Sequence, residues 1–195
     1  LLLDSGHFEK ISVVSSSHFC SAERQFRSPV EYGGQRPPTA QWTVTGAGAF
    51  LLERGCGGKV LINEVLPGTV RNAGIDDPNN MGAAMAPAAL DTLLAYFRES
   101  GKKPSDFDLV LTGDLGNEGS KILLELGKES GLNLEGRHND CGLMIYDRNT
   151  QDVHSGGSGC GCAATVLSSF ILPEMEKKNL KDILFVATGA LLSAD

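Results

Sequence analysis

Several features are missing from this 195-residue sequence, and each absence narrows the class of protein. No apolar run approaches the roughly 20 residues that a membrane-spanning helix requires. The opening Leu1 to Leu3 has neither a basic region nor a cleavage site, so we do not expect a signal peptide. The sequence therefore predicts an intracellular protein that does not cross a membrane.

Basic clusters and a regular cysteine framework are also missing. The formal charge is -7 with acidic and basic residues interspersed, which argues against nucleic acid as a partner. The five cysteines are odd in number and irregularly spaced, so we expect reduced thiols instead of disulfides. The cysteines and histidines also lack the spacing of a zinc site, and we predict no metal.

The sequence does contain apolar runs that alternate with helical patterns. The predicted strands lie at residues 11–16, 43–53, 60–65, from 106, 142–146 and 182–193, and the predicted helices at 80–99, 116–130 and after the turn 156–162. We expect the second and third strands to pair as a hairpin across residues 55–58. This alternation predicts an α/β fold with a sheet covered by helices on both faces.

The segment 18–41 has no usable period and is predicted to be a loop that covers another part of the protein. It contains the polar residues His18, Glu23, Arg24 and Arg27, which follow the first strand. Arginine can hold a carboxylate through two parallel hydrogen bonds, so these residues could bind an anionic ligand. The alternative is a salt-bridge network that anchors the loop.

A second candidate site is the elbow LTGDLGN, which carries Asp114 and Asn117. Both residues follow a buried strand, and open α/β sheets build their sites at the carboxyl ends of strands. The two side chains could therefore point into a cavity. The alternative is a helix cap, in which a short polar side chain accepts a hydrogen bond from a free amide.

The glycine-rich turn GGSGCGC is the third candidate, with Gly157, Ser158 and Cys160 as its ligand-binding residues. Its backbone amides and the positive end of the following helix would suit a carboxylate. The alternative is that the glycines allow tight packing, and we expect Cys162 to be a packing residue. The set RHNDCG resembles a nucleophile with its base, but neighbouring side chains seldom converge, so we predict no triad there.

Longer phrases of the sequence, among them TAQWTVTGAGA, LTGDLGNEGS, GGSGCGCAATV and ILFVATGALLS, resemble the stage V sporulation AD family. The resemblance runs over essentially all 195 positions. That family is similar to the thiolases and ketoacyl synthases. The resemblance therefore implies a thiolase-like αβαβα layered sandwich with a mixed sheet, which is incomplete in this chain. Residues 1–54 would end the first half and carry a loop over the pocket, and residues 55–195 would form most of the second half.

The resemblance also implies that the site is not catalytic. Condensing enzymes carry a histidine and an asparagine at the elbow, where this chain has Asp114 and Asn117. An ionised carboxylate cannot donate a hydrogen bond to a thioester oxyanion. Ser158 or Cys160 replaces a second asparagine, and the nucleophilic cysteine of these enzymes would precede Leu1. We therefore expect no catalytic residue and no cofactor in this chain.

The function implied by the resemblance is binding of dipicolinic acid, free or as its calcium chelate, for uptake into the developing spore. The implied partners are the other stage V sporulation A membrane proteins, with a homodimer as a further option. The chain would then lie peripherally at the inner membrane of the forespore or spore. Two alternatives are a condensing enzyme that uses an acyl thioester and a structural scaffold for a channel.

Overall fold

The computed structural model describes residues 1–20, 36–55 and 57–190, in which strands and helices alternate. The strands are β1 Lys10–Ser17, β2 Trp42–Thr43, β3 Gly46–Glu53, β4 Leu109–Thr112, β5 His138–Asp140, β6 Gly157–Ser158 and β7 Ile183–Val186. The helices are α1 Met81–Ser100, α2 Gly116–Glu129, α3 Cys141–Met144, α4 Cys160–Val166 and α5 Leu172–Glu176, with a π-helical stretch Leu167–Ile171 joining the last two. The α/β class predicted from the sequence is confirmed.

The main sheet has three parallel strands in the order β5, β4, β7. Its two faces belong to different apolar clusters. Val110 and Val186 pack with α1 and α2, whereas Leu111 and Phe185 pack with the helix that begins at Cys160. Because successive side chains of a strand point to opposite faces, helices cover both faces of this sheet, as predicted.

Helices α1 and α2 lie where the sequence predicts them. α1 is capped by Gly101, whose φ of 69° is left-handed and whose amide bonds the Phe97 carbonyl. The two helices cross where Gly82 faces Gly119, and a side chain on Gly82 would collide with the Leu115 carbonyl. Glycine at both positions therefore lets α1 reach the start of α2.

The predicted hairpin is wrong, because β3 pairs with β1 and residues 60–65 form no strand. The antiparallel register runs from Lys10 opposite Glu53 to Ser17 opposite Gly46. One face of this pair packs on α4, and the other leaves Val14 71% and Leu51 68% exposed. Apolar, β-branched composition marked residues 60–65 as strand-like, but composition does not select a pairing partner.

Side chains hold residues 59–64 in place. Lys59 forms an ion pair with Glu176, and Glu64 accepts hydrogen bonds from Tyr96 and Lys102. A cavity of about 490 Å³ separates residues 60–66 from β7. The segment thus runs beside the main sheet without joining it.

Three further expectations need correction. The predicted strand 43–53 is two strands, because β2 pairs with β6 while β3 pairs with β1. The predicted strand 142–146 begins with a helical turn, and the strand is β5, just before it. The strands of the described residues form three separate sheets instead of one mixed sheet. The five-layered sandwich and the boundary between residues 54 and 55 stay predictions.

Candidate functional site

The elbow joins β4 to α2 through a turn that begins at Gly113. α2 starts at Gly116, whose φ of 64° is left-handed, and a Cβ there would lie 2.6 Å from the Ser155 carbonyl oxygen. Glycine is required at this position by both its backbone angle and its surroundings. The turn therefore follows the carboxyl end of the buried strand, as the sequence predicts for Asp114 and Asn117.

Asp140 is the residue that fixes the elbow, and it is fully buried. Its carboxylate accepts the Thr112 hydroxyl at 2.6 Å and the amides of Leu115, Gly116 and Gly142 at 2.8, 3.0 and 2.9 Å. Burial raises the pKa of Asp140 to about 6, against the opposing effect of these donors. One side chain at the end of β5 thus satisfies amides at the starts of both α2 and α3.

His138 supports the same network from the other end of β5. Its Nε2 lies 2.9 Å from the Thr112 hydroxyl oxygen. Because that hydroxyl donates its proton to Asp140, His138 must donate from Nε2. Burial lowers the pKa of His138 to about 4, so the imidazole is neutral at physiological pH. Cys141 is buried, and burial raises the pKa of its thiol, so the RHNDCG set contains no thiolate nucleophile.

Asp114 lies at the tip of the elbow and is partly buried. Its Oδ2 accepts the amide of Gly159 at 3.0 Å, and its Oδ1 accepts the Thr188 hydroxyl at 2.8 Å. The Thr188 oxygen in turn accepts the Asp114 amide at 2.9 Å. Asp114 therefore bonds Gly159, the residue that precedes α4, while Leu115 occupies the N-cap position of α2 and the predicted helix cap at Asp114 is not formed.

Asn117 lies on the same elbow, but its side chain contacts other residues. Its Oδ1 accepts Arg148 Nη1 at 2.9 Å, and its Nδ2 donates to the Glu118 carboxylate. Among the residues that the structure describes, the side-chain carboxamide of Asn117 forms no hydrogen bond with Asp114. The two candidates are neighbours in sequence that contact different parts of the protein.

The glycine-rich turn meets the elbow from the opposite side. Gly157 and Ser158 form β6 and are buried, while Cys160 is exposed at the start of α4. The φ of Gly159 is 103°, which turns the chain from β6 into α4. The structure thus brings Gly157, Ser158 and the amide of Gly159 together with Asp114.

Gln41 links the two turns, although no pattern in the sequence marks it as a functional residue. Its Nε2 donates to the carbonyls of Asp114 and Gly157 at 2.8 and 2.9 Å, and the residue is 5% exposed. A glutamine at the end of a segment without periodicity gives little signal. Its burial depends on the pairing of β2 with β6, which joins residues more than 100 positions apart.

The structure describes only part of the candidate group that follows β1. His18 is exposed directly after β1, while Glu23, Arg24 and Arg27 lie outside the described residues. Beside His18, the Phe19 ring stacks on Trp42 with centroids 4.0 Å apart. No cluster of three or more histidine, cysteine or acidic side chains in the described ranges could hold a metal ion.

The site carries negative charge. Burial raises the pKa of the Cys162 thiol, and the carboxylate of Asp114 adds to that effect. Cys162 is fully buried in the apolar cluster beneath α4, so the expected packing role fits its position. The elbow can therefore accept hydrogen bonds and contribute negative charge, but Cys141 and Cys162 offer it no reactive thiolate.

Comparison with known proteins identifies the family. The profile of stage V sporulation protein AD matches residues 1–195. The chain belongs to the stage V sporulation protein AD family. Stage V sporulation protein AD of Bacillus subtilis (strain 168) is 46% identical over 192 residues, which cover 98% of this chain and 56% of that relative. The chain thus spans little more than half the length of the curated relative it matches.

Membership in the stage V sporulation protein AD family confirms the resemblance found in the sequence and links the chain to sporulation. Among the helices of the described residues, none has the length and apolar character needed to span a bilayer. The Asp114 contacts and the Gln41 bridge are thus the candidate site in a chain of a sporulation protein family.

Proposed function

We propose that this chain forms part of a non-catalytic, thiolase-like protein that binds dipicolinic acid for its uptake into the developing spore. One observation carries the proposal. Where the resemblance places a catalytic histidine, the Asp114 carboxylate accepts hydrogen bonds from the Gly159 amide and the Thr188 hydroxyl. In this function the elbow binds the ligand and transfers no proton.

The condensing-enzyme alternative requires groups that the elbow does not offer. A thioester oxyanion needs hydrogen-bond donors, and an ionised carboxylate only accepts. The Gly159 amide, which could have served as a donor, is already bonded to Asp114. Cys141 and Cys162 are buried with raised pKa values and are not thiolates at neutral pH. These contacts favour binding over acyl transfer.

The charge of the ligand adds a requirement. Dipicolinic acid has two carboxyl groups, and its ionised form would bring further negative charge close to Asp114. Like charges at short range repel, so binding needs a positive group beside the elbow. We propose that Arg24 and Arg27 supply that positive charge, with His18 as a further ligand-binding residue, or that calcium bound with the ligand supplies it.

The proposed function extends to the complete fold, the oligomeric state and the partners. The resemblance supports a five-layered sandwich of two halves with the ligand between them, and a homodimer. It also supports contact with the other stage V sporulation A membrane proteins and a peripheral position at the spore inner membrane. A structural scaffold for a channel would need no ligand at all.

Calorimetry on the full-length protein separates these functions. Titration with dipicolinic acid, with and without calcium, should give saturable heat. Incubation with an acyl thioester should leave the mass of the protein unchanged. An acyl adduct without any heat of binding would favour the condensing enzyme, and neither signal would favour the scaffold.

A substitution tests the assigned cations. Arg24→Ala should weaken dipicolinate binding by about 1.5 to 3 kcal/mol, the range for a hydrogen bond to a charged group. Arg54→Ala is the matched control, because Arg54 lies at the end of the β1–β3 pair beside Glu9. Unchanged titration curves for a folded Arg24→Ala protein would contradict the assignment.

A further inference from the structure

Two arginines from distant parts of the chain are anchored on one short turn, residues 152–154. Arg36 donates from Nη2 to the Asp152 carbonyl at 3.0 Å, and Arg148 donates from Nε to the His154 carbonyl at 2.9 Å. Residues two positions apart on a chain are separated by at most about 7 Å. The two guanidinium groups therefore flank the same turn.

The contacts of Arg148 leave its charge without a close counter-ion. Besides the His154 carbonyl, it donates from Nη1 to the side-chain oxygen of Asn117 at 2.9 Å, and both of these acceptors are neutral. Across residues 1–20, 36–55 and 57–190, Arg148 forms no ion pair, and the Glu118 carboxylate on the same helix as Asn117 pairs with Lys121 at 3.1 Å. Arg148 is thus an exposed guanidinium that neutral oxygens hold in place.

Arg36 also has an unused donor. Its Nη1 is buried and has no hydrogen-bond acceptor among the residues that the structure describes. The carboxylate of Asp152 lies 4.0 Å from its Nη2, but that side chain is 84% exposed and also contacts His154 at 2.9 Å. A buried donor without an acceptor is unfavourable, and such an atom in a folded protein needs an explanation. A bound anion would supply the missing acceptor.

Aromatic rings fix the position of the Arg36 guanidinium. Its central carbon lies 4.1 Å from the centroid of the Trp42 ring, and that ring stacks on Phe19 with centroids 4.0 Å apart and an interplanar angle of 8°. A guanidinium held on an aromatic face loses less freedom when it binds a ligand. Trp42 pairs with Gly157 in the register of β2 and β6, so the stack lies beside the glycine-rich turn.

The turn that carries both arginines also contacts the elbow. Ser155, which follows it directly, accepts the Asn117 amide through its carbonyl at 2.7 Å and the Glu118 amide through its hydroxyl at 3.2 Å. These amides belong to the first turn of α2, directly after the elbow residue Asp114. The two arginines therefore lie at the end of the main sheet that carries the candidate site.

We propose that Arg36 and Arg148 form the cationic subsite that holds a small dicarboxylate at the elbow. This inference rests on the proposed function and names the residues that offset the negative charge of the ligand. A guanidinium can bind a carboxylate through two parallel hydrogen bonds, so two such groups suit a ligand with two carboxylates better than a ligand with one. The dianion is therefore the preferred ligand.

Calorimetry on the full-length protein in calcium-free buffer tests the subsite with two probes. Dipicolinate carries two carboxylates, and pyridine-2-carboxylate carries one on the same ring. Arg36→Gln and Arg148→Gln should each weaken dipicolinate binding by roughly 10- to 100-fold, the loss expected for a hydrogen bond to a charged group. Each variant should also lose part of the preference for dipicolinate over pyridine-2-carboxylate. A purely structural role would weaken both probes alike and leave that preference unchanged.

Arg137→Gln is the matched control. Arg137 also donates to a backbone carbonyl, that of Phe107 at 3.2 Å, but it lies at the amino end of β4 and β5, away from the elbow. Its loss should leave the affinity for dipicolinate unchanged. Because Arg148 is exposed, Arg148→Gln keeps the test valid even if Arg36→Gln does not fold.

The outcomes separate this subsite from the proposed function. Dipicolinate binding by the wild type with unchanged affinity or unchanged preference in either folded variant would overturn the arginine pair and leave the proposed function standing. A wild-type protein that does not bind dipicolinate would overturn both.

Discussion

The elbow and the β1–β3 pair both reach the start of α4, but different forces hold them there. At the elbow, two carboxylates accept hydrogen bonds from amides and hydroxyls, and Asp140 alone accepts four. The β1–β3 pair carries no charge at α4: its backbone lies directly against the helix, and the neutral hydroxyls of Ser15 and Ser17 bond the Cys160 carbonyl and the Gly161 amide. A Cβ on Gly48 would lie 2.5 Å from the Ala164 carbonyl oxygen, and one on Gly161 would lie 2.8 Å from the Ser17 amide nitrogen.

This difference shows how each region would respond to change. The elbow depends on charge, because removal of one buried acceptor leaves several donors without a partner. The contact of the β1–β3 pair with α4 depends on space, because an added methyl group has nowhere to go. Changes in charge should therefore affect the elbow, and changes in volume should affect the contact with α4.

The largest effect should come from the charge at the elbow. Asp140→Ala leaves the Leu115, Gly116 and Gly142 amides and the Thr112 hydroxyl without their acceptor. We expect the free energy of unfolding to fall by roughly 3 to 5 kcal/mol, since each buried orphan donor costs about 1 to 3 kcal/mol. Chemical denaturation measures this loss. Asp182→Ala, at an exposed position, is the control and should have little effect. A loss no larger than that of the control would show that the network does not fix the elbow.

The next largest loss of stability should come from an added methyl group where the β1–β3 pair contacts α4. Gly161→Ala would place a methyl group against the Ser17 amide and the Gly46 carbonyl. Overpacking of this kind costs about 1 to 3 kcal/mol, and we expect a loss of unfolding free energy in that range. Cys160→Ala is the matched neighbour, since Cys160 is exposed. Equal stability of the two variants would mean that the backbones can move apart at no cost.

The smallest effect concerns pH, and it returns to the elbow. The pKa of His138 is lowered from 6.5 to about 4 on folding, so acid protonates the unfolded chain first and removes stability between those values. The pKa of Asp140 is raised from 3.8 to about 6, so acid protonates the folded chain first and adds stability over that range. The two contributions oppose each other between pH 4 and 6.

His138→Gln should remove the first contribution and keep the second. Relative to the wild type, the variant should gain roughly 1 to 3 kcal/mol of unfolding free energy when the pH falls from 7.5 to 4.5. Denaturation at the two pH values measures the gain. A difference between variant and wild type that is independent of pH would contradict the buried, neutral state of His138.

Local patterns predicted the elements better than their partners. The period of α1 and α2 and the glycine after α1 are properties of short stretches, and the structure has both helices where they were expected. Pairing is a long-range property, so residues 60–65 were assigned to β3 although β1 pairs with it. At the site, Asp114 and Gly157 could be named from strand ends and glycine, but Gln41 could not.

The sequence alone determined the α/β class, the long helices, the elbow with its glycine and the family, because these depend on composition, period and phrases of the chain. Only the tertiary structure decided which groups meet. It placed the Asp114 carboxylate on the amide of Gly159, 45 residues away, and the His154 ring on the Pro37 carbonyl, 117 residues away. Contacts between such distant residues depend on how the sheets and helices pack, and no local pattern of the sequence carries that information.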